Sequence, residues 1–198
     1  MNLPALLAHA LWRGVRISRF WLAIAGLFAV GALPASAAES LTIAAFARYL
    51  PAGRGRLVLA WPSGRTLAKA EDLVDPKFAR IALPDERQAV YGKAASQFLA
   101  RSALAQRLEG RLLMVANVPQ VSAYLVSGEV DAGFVNLTDA LGVRGRIGGF
   151  LEIDPALYDE VRIVAGVVEG RETLPGVEAL AEFLATPEAR TILTKHGL

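Results

Sequence analysis

The sequence contains no cysteine, which excludes a disulfide framework, a thiolate nucleophile and a thiolate metal site. Histidine is nearly absent too, with only His9 and His196 in the chain. An isolated imidazole supports neither a catalytic triad nor a metal centre. No nucleophile–base pair and no phosphate-cradling glycine loop is found, and Asp131, Asp139 and Glu152 are scattered carboxylates suited to surfaces and caps. The expectation is therefore a protein without catalytic residues, metal or cofactor. Acidic residues are also missing from the start of the chain, where the first is Glu39.

That acid-free segment has the three parts of an export signal. Arg13, Arg16 and Arg19 give a positive start, Phe20–Leu33 is an uncharged apolar run, and Pro34-Ala35-Ser36-Ala37 supplies small residues at a cleavage site. Residues 1–37 are expected to be a cleavable secretory signal peptide, with a cut after Ala38 as the alternative. The run falls short of the roughly 20 residues a spanning helix needs, and no later uncharged run is long enough to span. A periplasmic protein with no stable membrane span after cleavage is expected. The segment holds three of the 21 Lys+Arg, leaving 18 against 19 Asp+Glu in residues 38–198. The basic pI of about 9.1 thus belongs largely to the signal. Arg54 and Arg56 alone make no clustered basic face, so no nucleic-acid partner is expected.

Beyond residue 38, short apolar runs alternate with segments of helical period, the pattern of an α/β domain. Strands are predicted at Leu41–Ala45, Arg56–Trp61, Arg80–Leu83, Leu112–Val115, Ala132–Val135 and Val161–Val168. Helices are predicted over Tyr91–Ser102 and over Val118–Ser127, which closes at Gly128. Thr138–Leu141 reads as a short turn or helix. Val177, Leu180, Phe183 and Leu184 mark a further helix after Pro175-Gly176. Thr186 and Pro187 then have the chemistry of an N-cap and N1 pair for a last helix, Glu188–Lys195, stopping at Gly197.

Five of these pieces, in order, resemble the molybdate-binding proteins of ABC importers. GRLVLAWP (55–62) resembles the hinge strand entering that family's second lobe, and EDLVDPKFARIAL (71–83) its loop-and-strand unit. AVYGKAASQFL (89–99) is similar to its A-P-Y-G-x-A-A helix start. NVPQVSAYLVSGEVDAGFVNLTDAL (117–141) resembles its N-V-x-Q-…-G-x-A-D-x-G-x-V unit, and LAEFLATPEARTILTKHGL (180–198) its helical ending. The resemblance implies an α/β fold of the type II periplasmic-binding-protein kind. One lobe is expected complete, over about 62–160, with hinge strands at about 56–61 and 161–168 and C-terminal helices over 175–198. Only Ala38–Arg54 precede the hinge strand, so the first lobe is expected to be vestigial. Its serine-bearing loops are missing: Ala44, Ala45, Phe46 and Arg48 stand in their region.

Such a fold implies a solute-binding protein for a small oxyanion, molybdate or tungstate, working with an ABC permease. Helix N-termini present free N–H groups and a positive dipole end, which suit an anion without burying a counter-charge. By resemblance Tyr91 and Val118 sit where relatives donate backbone N–H groups, and Gly92 permits close approach to the backbone. Asn136 stands where relatives place an anion-contacting tyrosine, and Thr138 is a further polar candidate. Both also suit capping of the turn before Asp139. With donors missing, a degenerate lobe serving as an exported interaction or accessory module is the alternative. Its apolar face would then be covered by a second copy, as a homodimer, or by another exported protein.

Overall fold

The computed structural model describes residues 46–198. The export signal and the strand predicted at Leu41–Ala45 lie outside the described residues. Seven strands and six helices follow in order: β1 (Phe46–Gly55), β2 (Leu57–Trp61), β3 (Ile81–Pro84), α1 (Val90–Arg101), α2 (Leu104–Arg107), β4 (Leu112–Val115), α3 (Val118–Ser127), β5 (Ala132–Asn136), α4 (Leu137–Val143), β6 (Gly149–Glu152), β7 (Val161–Val168), α5 (Pro175–Ala185) and α6 (Pro187–Lys195). Short 3₁₀ turns at Ala70–Val74 and Pro155–Leu157 join them.

The strands form a five-stranded sheet in the order β4-β3-β5-β2-β6 and a separate antiparallel ribbon, β1-β7. In the larger sheet β3 runs parallel to β4 and β5, while β2 runs antiparallel to β5 and β6. Every residue of β2 (LVLAW) and β3 (IALP) is buried, as expected of strands covered on both faces. The chain passes from β3 through α1 to β4 on one side, then back through α3 to β5 on the other. Right-handed crossovers in opposite directions place α1 and α3 on opposite faces of the sheet. The contacts agree: Phe134 of β5 meets Phe98 of α1, ring centroids 5.7 Å apart. Its neighbour Gly133 lies so close to Val121 of α3 that a β-carbon there would collide.

Residues 62–80 cross the sheet edge as a loop pinned by Asp131. Its carboxylate accepts hydrogen bonds from the Ala79 and Arg80 N–H groups, both at 2.9 Å, and pairs with Arg65. β1 was not legible as a strand. Its sequence FARYLPAGRG carries Pro51 and two glycines, yet it pairs along its length with β7, with register shifts at Phe46/Arg48 and Pro51/Gly53 absorbing the irregularity. β6 and α2 were likewise missed, being only four residues each. The strand at 57–61 belongs to the five-stranded sheet, so the passages between sheet and ribbon fall beside Arg56 and at 153–160.

Candidate functional site

Three parallel strands deliver three helix N-termini to one edge of the five-stranded sheet: α1 after β3, α3 after β4 and α4 after β5. Because α1 and α3 leave adjacent strands toward opposite faces, the carboxyl ends of β3 and β4 form a topological switch point, the place of the crevice in open α/β sheets. In open α/β sheets this is where ligands bind. Tyr91, Gly92, Val118, Asn136 and Thr138 all sit along that edge, but the structure gives them different work.

α1 starts without a side-chain cap, since its N-cap is Ala89. The Lys93 N–H donates to the Ala89 carbonyl at 3.1 Å, while the N–H groups of Val90, Tyr91 and Gly92 find no acceptor among the described residues. The preceding turn is self-contained: Asp85 accepts from the Arg87 N–H at 2.9 Å and from Gln88 Nε2 at 3.1 Å. Gly92 is required by the chain itself, because a β-carbon there would strike the Pro84 carbonyl and the Asp85 backbone. The close approach expected of Gly92 is thus between α1 and the end of β3.

The Tyr91 side chain is buried and runs toward the ribbon, its hydroxyl against Gly55 at the end of β1. Burial, and secondarily the neighbouring Tyr158, raise its pKa above the ordinary tyrosine value near 10.0. Tyr158 in turn accepts the Leu57 N–H at 3.1 Å. Only the backbone of Tyr91 faces the crevice as a donor.

At α3, Asn117 is the N-cap, accepting from the Gln120 N–H at 3.0 Å, and Gln120 accepts from the Ala116 N–H at 3.1 Å. The two bonds satisfy the Gln120 and Ala116 N–H groups within the chain. Pro119 has no N–H, which leaves the Val118 N–H as the free donor of the first turn. α1 and α3 therefore offer four N–H groups, from Val90, Tyr91, Gly92 and Val118. Val90 was not singled out from sequence, although its N1 position carries the same signal as Tyr91.

α4 is closed by contrast. Asn136 caps it, accepting the Asp139 N–H at 2.6 Å, and the Leu137 N–H donates to the Arg56 carbonyl at 2.9 Å. Gly197, with φ of +88°, brings the end of α6 over the remaining N–H: a β-carbon on it would lie 2.8 Å from the Thr138 nitrogen. Thr138 is exposed, in a depression shared with Leu141, Gly142, Arg144, Lys195 and His196. The capping role foreseen for Asn136 is the one observed. Nothing in the sequence spacing could bring Gly197 to this helix, because the contact depends on how α6 folds back.

The family profile of bacterial extracellular solute-binding proteins matches residues 27–198. The chain belongs to that family. It is a family of binding proteins and not of enzymes. The molybdate-binding protein ModA of Azotobacter vinelandii is 26% identical over 121 residues, 61% of this chain and 48% of that protein. ModA of Rhodobacter capsulatus is 26% identical over 146 residues, 72% of this chain and 56% of that protein. The solved periplasmic molybdate-binding protein of Azotobacter vinelandii superposes with a TM-score of 0.65 at 23% identity, covering 78% of this chain and 68% of that one. The chain thus has the type II periplasmic-binding-protein fold, and it spans about half the length of the curated relatives it matches. Among its described residues no helix is long and apolar enough to cross a membrane.

Proposed function

We propose that this solute-binding protein is exported to the periplasm, where it takes a small tetrahedral oxyanion of the molybdate or tungstate kind for an ABC permease. The observation that carries this reading is the set of unpaired N–H groups of Val90, Tyr91, Gly92 and Val118 at the crevice beyond β3 and β4. Uncharged donors at helix ends favour an anion without the cost of burying a cation beside it. Tyr91, Gly92 and Val118 act through the backbone. Asn136 retains its side-chain N–H₂ for a ligand while its oxygen caps α4, and Thr138 offers a hydroxyl at the rim. Each hydrogen bond to a charged group contributes about 1.5–3 kcal/mol, so four backbone donors suffice for measurable but not extreme affinity. Titration calorimetry with molybdate, tungstate, sulfate and phosphate tests the reading. Heat and thermal stabilisation with the first two support it, and silence with all four sinks it.

A second reading, an exported interaction or accessory module without its own ligand, draws on one observation: the N-terminus of α4 is occupied by the chain itself. A compact monomer that binds oxyanion tightly would count against it.

A further inference from the structure

β4 hands the chain to α3 through two residues. The last ladder pair of β3 and β4 is Pro84 with Val115, and the Val115 carbonyl also accepts the Asp85 N–H at 2.7 Å. That bond ties the turn leading to α1 to the turn leading to α3. Beyond it only Ala116 and Asn117, both exposed, precede Val118. Two exposed backbone residues have conformational freedom to lose, and a hydrogen bond weakens steeply as its angle closes. The direction of the Val118 N–H therefore depends on what holds Ala116 and Asn117.

Gln120 holds both. Its N–H donates to Asn117 Oδ1 at 3.0 Å, and its side-chain Oε1 accepts the Ala116 N–H at 3.1 Å. In a capping box the third helical residue takes the N–H of the N-cap itself; here it reaches one residue further back. The Ala116 N–H can only donate, so the amide oxygen faces it and the amide nitrogen turns the other way. There Nε2 donates to the Tyr124 hydroxyl at 3.1 Å, one helical turn along the same face. The half-buried Gln120 side chain is thus fixed at both ends of its amide. Asn117 already caps α3, so the bond to Ala116 is not needed to start the helix. What it adds is the placement of the chain just before Val118.

We propose, resting on the oxyanion reading of these helix ends, that Gln120 is a positioning residue of the site. It acts through Ala116 and Asn117 to aim the Val118 N–H, and not on the ligand itself. Gln120→Met keeps the length and helix propensity of the side chain and removes both of its hydrogen bonds. In titration calorimetry it should weaken molybdate binding about fivefold or more, with the melting temperature in the absence of anion shifted by only a few degrees.

The double variant separates positioning from a general loosening of α3. With Val118→Pro the N–H that Gln120 aims is gone, so adding Gln120→Met should weaken binding no further. A purely structural role would give the same factor in both backgrounds. Molybdate affinity unchanged by Gln120→Met, or an equal loss with and without Val118→Pro, overturns the positioning role and leaves the oxyanion reading in place. Silence of the unmodified protein with molybdate and tungstate overturns both.

Discussion

The Tyr91 hydroxyl fills the space that a β-carbon on Gly55 would occupy. One buried side chain from the first turn of α1 thus holds the last residue of β1, where the ribbon meets the five-stranded sheet. Gly55→Ala should lower stability by about 1–3 kcal/mol through overpacking. Tyr91→Phe, which withdraws the colliding oxygen, should recover part of that loss in the double variant. Urea unfolding of the four proteins measures the coupling.

The same tyrosine sets a pH dependence. Its folded pKa lies above the unfolded value near 10.0 because burial disfavours the phenolate. The stabilising difference is complete below the unfolded pKa and is lost as pH rises through that value toward the folded one, since the unfolded chain ionises first. Unfolding midpoints should therefore fall above about pH 10, and Tyr91→Phe should flatten that alkaline limb. An unchanged slope in the variant would assign the limb to other groups.

Asp131 is a single carboxylate holding a long loop, with its side chain 16% exposed. Asp131→Ala leaves the Ala79 and Arg80 N–H groups and Arg65 without their acceptor, a cost of about 2–4 kcal/mol for hydrogen bonds to a charged group. Hydrogen exchange should show lost protection concentrated at residues 62–80 and at the start of β3, with α5 and α6 unaffected.

Val118 gives a clean test of the anion site. Proline is tolerated at the first helical position, and the preceding Asn117 already has the extended backbone that proline demands, with φ of −156° and ψ of 171°. Val118→Pro removes one N–H from the crevice with little change to the helix. Oxyanion binding should weaken about tenfold or more, while the melting temperature without ligand shifts by only a few degrees. Unaltered binding would remove α3 from the site.

Legibility followed physical strength of signal. β4, α3 and β7 were bounded to the residue, because Leu112–Val115 is an uninterrupted apolar run, Val161–Val168 is a valine-rich run broken only by Arg162 and Gly166, and α3 has Asn117 and Gly128 at its two ends. β1 was unreadable because its pairing to β7 is long-range and overrides the local message of Pro51 and Gly53. At the site, the family resemblance singled out Tyr91, Gly92, Val118, Asn136 and Thr138 as candidates. It did not separate open donors from occupied ones.

What the sequence determined by itself is the local chemistry: the absence of cysteine and clustered histidine, helix starts lacking counter-charges, and an apolar pattern that alternates strands with helices. Those properties depend on neighbours within a turn or a strand. Only the tertiary structure decided which helix ends stay free. α4 is closed because Arg56 and Gly197, distant along the chain, arrive at its first turn. α1 and α3 stay open because their crossovers run to opposite faces.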